Sequence, residues 1–212
     1  MPEPNPELRT VLLAAYSPCN AFAGPCSAMR WDPARGHVPR GFFGATSALE
    51  DVELVLVCAE PGDPHASESH AGSSAGEMLD SAYDYAYNCF KTGTDLFHRN
   101  VQLILNLCFP GSSFDEQMRR AWITDSVLCS ARVEGGSVPA SAARACRSRY
   151  LEAQLDLLPN AVVAALGSKA RDRLAGYGRE VIPAFAAAPP GCNRPSAARP
   201  ENAADRRDRR RG

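Results

Sequence analysis

The sequence has no long apolar run and almost no net charge. No apolar stretch approaches the roughly 18 residues that a transmembrane helix needs, so we predict no membrane-spanning segment. The first ten residues, MPEPNPELRT, lack the basic and apolar regions of a signal peptide, and we therefore expect a cytoplasmic protein. A formal net charge of −1 excludes a general electrostatic attraction to nucleic acid, so any basic surface is local.

Length and composition are those of one globular domain. The chain has 212 residues, of which 45% are hydrophobic and 22% charged. It has no internal repeat, and we predict one domain over residues 1–199 in a protein that acts as a monomer. Residues 200–212 are polar and rich in arginine, and we predict a disordered tail that either binds phosphates or only aids solubility.

Short apolar runs alternate with segments of helical periodicity. The runs predict four β-strands, at 53–58, 121–128, 161–166 and 180–184. Helices are predicted at 6–16, 77–90, 95–107, 113–119, 141–158 and directly after Gly167. Strands separated by helices indicate an α/β fold around a parallel sheet. Residues 19–44 show no periodicity, and so long an irregular segment usually needs a tether or has a function.

The first predicted strand runs directly into a stiff acidic loop. Five apolar residues, 54–58, are followed by Ala-Glu-Pro-Gly-Asp-Pro, which holds Glu60 and Asp63 between prolines and a glycine. Ligands of parallel-sheet proteins bind at the carboxyl ends of the strands. A ligand or a water molecule bound at this loop would meet both carboxylates. The structural alternative is an acidic turn that stabilises a helix N-terminus.

Eight cysteines in a protein expected in the cytoplasm are more readily explained as thiols or metal ligands than as disulfides. Cys19 and Cys26 lie in the irregular segment, and Cys129 and Cys146 lie on either side of a glycine-rich loop. Four thiolates from distant segments can hold an iron–sulfur cubane or a zinc ion, and cysteines can equally be small buried apolar residues. The others are predicted to be core or supporting residues: Cys58, Cys89, Cys108 and Cys192.

Three stretches resemble the uracil-DNA glycosylase superfamily in its iron–sulfur-containing branch, families 4 and 5. LVLVCAEPG stands where that branch has a strand ending in GEAPG, and ITDSVLC, residues 123–129, stands where it has ITNVVKC. Cys146 and the following RSRYLEAQLDLLPNAVVAALGSKA resemble its last cysteine, long helix, strand and LG-x-x-A turn. These landmarks run in order from Cys19 to Arg199, and the chain is identified as a divergent member.

The resemblance implies a three-layer α/β/α sandwich around a four-stranded parallel sheet, with a pocket for a flipped base at the carboxyl edge. It implies a base-excision repair enzyme that hydrolyses the N-glycosidic bond of uracil or a deaminated purine in DNA. Glu60 and Asp63 would be the catalytic residues near the sugar and the water. A structural 4Fe-4S cluster, with zinc as the alternative, would be held by Cys19, Cys26, Cys129 and Cys146.

The chain departs from the family's pattern where the base is read. Ala59-Glu60 reverses the family's Glu-Ala, and Asp125 replaces the Asn that reads uracil. An ionised Asp only accepts hydrogen bonds, so xanthine or hypoxanthine would suit it better unless it is protonated. The alternative for Asp125 is a solvent-facing or capping residue. The family's anion-stabilising His has no counterpart, and Asn193 or Arg194 would donate in its place.

Two further features complete the expected site. His70 would replace the aromatic residue that stacks on the flipped base, although an exposed loop histidine is the alternative. Arg194 and Arg199 would contact the DNA. Two rival functions stay open: a noncatalytic iron–sulfur DNA-binding protein on the same fold, and a zinc-stabilised enzyme of unrelated chemistry. The second rival explains the cysteines but not the ordered landmarks.

Overall fold

A five-stranded sheet forms the centre of the protein, for which a computed structural model describes residues 3–193. Its strands are β1 (Phe43–Gly44), β2 (Leu54–Cys58), β3 (Ala121–Asp125), β4 (Val162–Leu166) and β5 (Val181–Ala184). The spatial order is β1-β3-β2-β4-β5, and every neighbouring pair is parallel except β1 with β3. The chain leaves β2 toward β3 on one side and returns to β4 on the other, which is a doubly wound arrangement.

Helices cover both faces of this sheet. Those within residues 3–193 are α1 (Pro6–Leu13), α2 (Ala75–Thr92), α3 (Leu96–Cys108), α4 (Phe114–Arg120), α5 (Ala140–Cys146), α6 (Glu152–Asp156) and α7 (Ser168–Arg173). Crossovers between parallel strands are right-handed, and the connections β2–β3 and β3–β4 run in opposite directions. Helices α2 to α4 therefore lie on one face and α5 to α7 on the other, which confirms the predicted α/β sandwich.

Local sequence explains where the helices with capping boxes, α2 and α4, begin. Ser74 Oγ accepts a hydrogen bond from Glu77 N, and Glu77 Oε2 accepts one from Ser74 N at 2.7 Å. The same reciprocal pair forms between Ser113 and Glu116 at the start of α4. Each pair satisfies backbone N–H groups that have no partner inside the helix. Helix α2 ends at Gly93, whose φ of 67° suits a residue without a Cβ.

The sheet differs from the prediction in two places. A fifth strand, β1, pairs antiparallel with β3, and two residues are too few to show a strand pattern in the sequence. The strand predicted at 121–128 ends at Asp125. Ser126 and Val127 donate instead to carbonyls at the end of β2 and in the loop after it, and Leu128 N donates to Cys146 Sγ. The chain therefore turns out of the sheet where β2 ends.

The remaining segments follow the prediction in outline. The helix predicted at 141–158 is α5 and α6 joined by a π-helical turn, Arg147–Leu151. The irregular segment contains only short 3₁₀ turns, at Asn20–Ala23 and Pro33–Arg35, before it reaches β1. No helix within residues 3–193 is both long and apolar enough to cross a membrane.

Candidate functional site

The candidate site lies at the carboxyl ends of β2, β3 and β4. Cys58 and Asp125 are the last residues of β2 and β3, and they are paired in register. Strand β2 stands between β3 and β4, where the two connections diverge. Ligands of doubly wound proteins bind in the crevice at this point, because the loops that follow adjacent strands turn apart there.

Glu60 lies in a cluster of opposite charges at this edge. Its Oε1 forms an ion pair with Nζ of Lys169. Its Oε2 lies 2.6 Å from Nη1 of Arg173, and this contact is an ion pair without an aligned hydrogen bond. Only 9% of the Glu60 side chain and 12% of the Arg173 side chain are exposed. Arg173 Nη1 also donates to Ala59 O at 2.7 Å and to Ser126 Oγ at 3.0 Å. Glu60 is therefore held in place, and its charge is offset.

Asp125 is a buried carboxyl group without a bonding partner. It is 5% exposed, and its side chain forms neither a hydrogen bond nor an ion pair with any of residues 3–193. Burial and then the charge of Glu60 raise its pKa well above the usual range, while the charges of Arg40 and Arg173 oppose that shift. A protonated carboxyl group presents one donor and one acceptor, which is the hydrogen-bonding pattern of an amide.

Gly41 and Cys58 explain why Asp125 has no partner. Gly41 has a φ of 87°, and a Cβ at this position would overlap Oδ2 of Asp125. The thiol of Cys58 is buried, and burial followed by the charge of Asp125 raises its pKa well above the usual value. The carboxyl group thus lies between a bare backbone and an uncharged thiol, and neither neutralises it.

Arg40 holds the loops of the site together from the side opposite Arg173. Its Nη1 donates to Gly36 O at 2.9 Å, and its Nη2 donates to Gly62 O and to Ser130 Oγ. Burial lowers its pKa, and nearby carboxylates, first among them that of Glu68, act against this effect. Arg173 and Arg40 therefore bind the carbonyls of Ala59 and Gly62, on either side of Glu60, and each also binds a serine hydroxyl that follows β3.

Asp63, the second predicted catalytic carboxylate, lies farther out than Glu60. Its side chain is 38% exposed, and its Oδ2 lies 3.4 Å from Nη1 of Arg30. Its backbone N–H donates to Oε1 of Glu134 at 3.4 Å. The two predicted carboxylates therefore differ: Glu60 is buried and paired with two cations, whereas Asp63 is partly exposed and paired with one.

His70 is buried, so the alternative of an exposed loop histidine is wrong. Its backbone N–H donates to Pro33 O at 2.7 Å, which ties the loop before α2 to the irregular segment. Burial, and then the charge of Arg40, lowers the pKa of the ring and favours its neutral form. No contact of the ring with Asp125 is observed in the part of the chain that the structure describes.

The structure brings the two predicted cysteine pairs together. Met29 forms an antiparallel bridge with Ala131, which joins the segment after one cysteine pair to the segment after β3. Leu128 N donates to a cysteine Sγ of α5 at 3.4 Å, and Arg149 Nη1 donates to a cysteine Sγ of the irregular segment at 3.2 Å. The two thiols in these hydrogen bonds are those of Cys146 and Cys19, and each belongs to one of the pairs Cys129–Cys146 and Cys19–Cys26.

The thiols lie within electrostatic reach of one another. Burial and then the charges of Cys146, Cys26 and Cys19 raise the pKa of Cys129 well above the usual value. Burial raises the pKa of Cys146 to about 12, with contributions from the same neighbours. Cys19 differs: burial acts to raise its pKa, but hydrogen bonds to its sulfur, among them that from Arg149, outweigh the burial and lower the pKa. Within residues 3–193, no three His, Cys, Asp or Glu side chains form a group compact enough for one metal ion.

Asn193 forms no hydrogen bond with Glu60, Asp63 or Asp125 in the described part of the chain. Asn193 is exposed at the end of the described range, and its polar partners, Pro190 O and the Cys192 thiol, belong to its own turn. Arg194, Arg199 and the arginine-rich tail lie outside the described residues.

Four residues of the site were missed by sequence reasoning: Arg40, Gly41, Lys169 and Arg173. Arg40-Gly41 lies in the irregular segment, where no period indicates which residue faces inward. Lys169 and Arg173 are four residues apart in the short helix α7, and so they lie on one helix face directly after a predicted strand. That spacing was the one usable signal.

Comparison of the sequence with models of protein families and with curated proteins found no match. What the site does is therefore inferred from its own geometry and chemistry.

Proposed function

We propose that this protein is a DNA glycosylase that hydrolyses the N-glycosidic bond of a deaminated base in DNA. One observation carries the proposal: Asp125 is a buried carboxyl group with unused hydrogen-bonding capacity at the edge where doubly wound sheets bind ligands. Glu60 and Asp63 lie in the loop at the same edge. The resemblance of three segments to the iron–sulfur branch of the uracil-DNA glycosylase superfamily adds the substrate class.

Asp125 would read the edge of a base that has been flipped out of the DNA stack. In the protonated form that burial favours, it donates to a carbonyl oxygen and accepts from the neighbouring N–H, as uracil requires. In the ionised form it only accepts, which suits a purine that presents N–H groups, such as xanthine. Arg40 and Arg173 add positive charge around Asp125, and positive charge stabilises the anionic base that leaves.

Glu60 and Asp63 would act at the sugar. Cleavage leaves an oxocarbenium-like sugar, which a carboxylate stabilises and a water molecule attacks. Glu60 is fixed by Lys169 and Arg173, and it suits the role of a positioned negative charge. Asp63 is the more exposed of the two, and it suits the orientation of the water.

The four thiols would hold a 4Fe-4S cluster, with a single zinc ion as the alternative. The resemblance to the iron–sulfur branch is what favours the cluster. Such a cluster would tie the irregular segment, through Cys19 and Cys26, to β3 and α5, through Cys129 and Cys146. Its role would be structural.

Oligonucleotides test the activity directly. Single- and double-stranded substrates that carry uracil, hypoxanthine or xanthine are incubated with the protein, and alkali then cleaves the abasic sites. We expect cleavage for at least one base, and a loss of about 100-fold or more in Glu60→Gln and Asp63→Asn. Glu50→Gln, exposed just before β2 at the opposite edge, is the control with unchanged activity. Full activity in both variants would remove the catalytic assignment, and no cleavage of any base would remove the proposal.

Iron content tests the cluster independently of activity. Protein purified without oxygen should be brown, with broad visible absorption and about four irons per chain. Cys26→Ser should lose iron and absorption, whereas Cys108→Ser, at an exposed position on α3, should keep them. A colourless preparation that contains zinc would contradict the cluster while leaving the proposed glycosylase open to the oligonucleotide test.

A noncatalytic DNA-binding protein on the same fold is the second candidate. The observation that favours it is the pairing of Glu60 with two cations, because an offset charge stabilises a cationic sugar less than a free one. This function predicts that the same oligonucleotides bind and that none is cleaved.

A further inference from the structure

Two chain segments are joined next to the candidate site. The bridge between Met29 and Ala131 is extended by a hydrogen bond from Arg30 N to Ser130 O at 3.1 Å. In an antiparallel pair, the residues on either side of a bridge are also neighbours. The pairing therefore places Arg30 opposite Ser130 and Arg132 opposite Ala28, so it brings a segment with each arginine together although the two are about a hundred residues apart in the chain.

These segments line an open, polar cavity of about 490 Å³. That volume lies within the range of about 300–1,000 Å³ typical of small-molecule sites. Arg132 is exposed and forms no hydrogen bond or ion pair with the described part of the chain, so its guanidinium is available. The cavity is lined by Ser27, Met29, Arg30, Trp31, Asp32 and Arg132.

Trp31 supplies a fixed aromatic wall. The indole is half-buried, and it packs edge-on against Phe22 with 6.0 Å between the ring centroids and an interplanar angle of 64°. Its N–H has no acceptor within residues 3–193. Asp32 is the one acidic group in the lining, and Arg35 Nη1 lies 3.6 Å from its Oδ2, so its charge is partly offset.

The cavity is connected to the loop of the candidate site. Arg30 lines the cavity, and its Nη1 is also the partner of the Asp63 carboxylate at 3.4 Å. A strand whose flipped nucleotide occupied the site at Glu60 and Asp63 would therefore pass the cavity with a neighbouring nucleotide.

We propose that this cavity binds an unpaired nucleotide of single-stranded DNA beside the flipped base, with its base against Trp31 and its phosphate on Arg132. The inference rests on the proposed function for its choice of DNA. Any base can stack on an aromatic side chain, because every base has a π face. Arginines bind the phosphates between successive bases. A polar and open cavity suits such a charged ligand better than an apolar one.

The tryptophans provide a selective probe, because the chain contains two of them. Trp122 is fully buried in β3 and donates to Gln154 Oε1 at 3.0 Å, so a ligand at the surface does not reach it. The full chain, with its metal content as purified, is titrated with an undamaged 12-nucleotide thymidine oligomer. Tryptophan emission and the anisotropy of a label on the oligomer are both recorded at several salt concentrations.

We expect binding to quench the emission of Trp31. Trp31→Phe should bind nearly as well and show no quenching, and Trp31→Ala should bind about tenfold more weakly. Arg132→Gln should reduce the slope of log K against log salt by about 0.7, the contribution of one phosphate on a single strand. Arg119→Gln is the matched control, because this exposed arginine lies at the end of α4, at the opposite edge of the sheet.

The outcomes separate this inference from the proposed function. Binding with unchanged Trp31 emission, or Arg132→Gln with the wild-type slope, overturns the site, whatever the excision assay shows. Quenching and a reduced slope without base excision support the site and contradict the glycosylase. No binding of the oligomer overturns the site even if a damaged base in duplex DNA is excised.

Discussion

The two edges of the parallel sheet are built from different interactions. At the amino edge, charges lie in water and are paired: Arg120 forms two 2.9 Å hydrogen bonds with Glu53, and both side chains are well exposed. At the carboxyl edge, Glu60 and Arg173 are paired with about a tenth of each side chain exposed, and Asp125 is buried without a polar partner among residues 3–193.

The difference shows at which edge the fold buries charged groups at a cost in free energy. Charges that remain in water are easy to arrange and contribute little to stability. Buried charges lose their hydration, and an unpaired buried carboxyl group is costly unless it stays protonated. Costly groups of this kind, together with a positive-φ glycine packed against one of them, concentrate at sites that bind ligands. Substitutions at the carboxyl edge are therefore expected to have the largest effects.

The largest effect is expected for Gly41→Ala. The new Cβ would overlap Oδ2 of Asp125, and a φ of 87° is strained for alanine, so unfolding free energy should fall by about 2–5 kcal/mol. Base excision should fall by at least about 100-fold, because Asp125 is displaced. Gly176→Ala is the control: its φ of 76° is also strained, but open space surrounds it, so only the smaller stability loss is expected. Denaturant unfolding and the excision assay measure both.

Asp125→Asn should change how stability depends on pH. The pKa of Asp125 is raised on folding, so the native state holds a proton that the unfolded state releases above about pH 4. Wild-type stability should then fall by up to about 1.4 kcal/mol per pH unit from there toward the raised pKa, and the variant should lack this term. Glu60, Arg40, Arg173 and the Cys58 thiol are the groups that act on this proton.

Asp125→Asn also tests how the protein recognises the base. Uracil excision by the wild type should decrease as the pH rises through the raised pKa of Asp125, whereas Asp125→Asn should remain active across that range. Asp51→Asn, exposed before β2, should leave the profile unchanged. Excision with the same pH profile in wild type and Asp125→Asn would contradict the role of the protonated carboxyl group.

Arg40→Lys should have an intermediate effect. A lysine keeps the charge but not the planar fork that reaches Gly36 O, Gly62 O and Ser130 Oγ together, so a loss of about 1–3 kcal/mol is expected. Arg9→Lys, whose partner Asp80 is exposed, is the matched control with a smaller loss. Equal losses of stability in the two variants would mean that the three hydrogen bonds of Arg40 do not hold the loops together.

The smallest effect is expected at the amino edge. Glu53→Gln removes a pair that is exposed to water, so the midpoint of thermal unfolding should stay within experimental error. High salt should likewise have little effect on the midpoint of thermal unfolding of this variant. A shift as large as that of Arg40→Lys would remove the distinction between the two edges.

Much of the fold could be predicted from the sequence, because it depends on local patterns. The apolar run of β2 and the periodicity of α2 and α3 correspond to buried faces, and the Ser113–Glu116 signal corresponds to an observed capping box. The four parallel strands follow from the alternation of the two patterns. Only β1, which is two residues long, has no local signal.

The site could be predicted only in part, because its contacts join distant segments. Glu60 was found from the acidic loop that follows a predicted strand, and Asp125 from the resemblance of residues 123–129 to the family's segment. Arg40 and Arg173 were not, because each reaches the loop after β2 from a distant part of the chain, and an arginine reads in a sequence as a surface residue. The burial of Asp125 depends in turn on Gly41, whose importance appears only when its neighbour in space is known.

The two arginines that bind the loop after β2 have a consequence for entropy. Arg173 binds that loop at Ala59 O, and Arg40 binds it at Gly62 O, so the stretch 59–62 that contains Glu60 is fixed on both sides before any ligand arrives. Fixing a residue's backbone costs about 1–2 kcal/mol, and here that cost is met during folding. A ligand at Glu60 would therefore lose little of its affinity to ordering the loop, and it would bind to a preorganised surface.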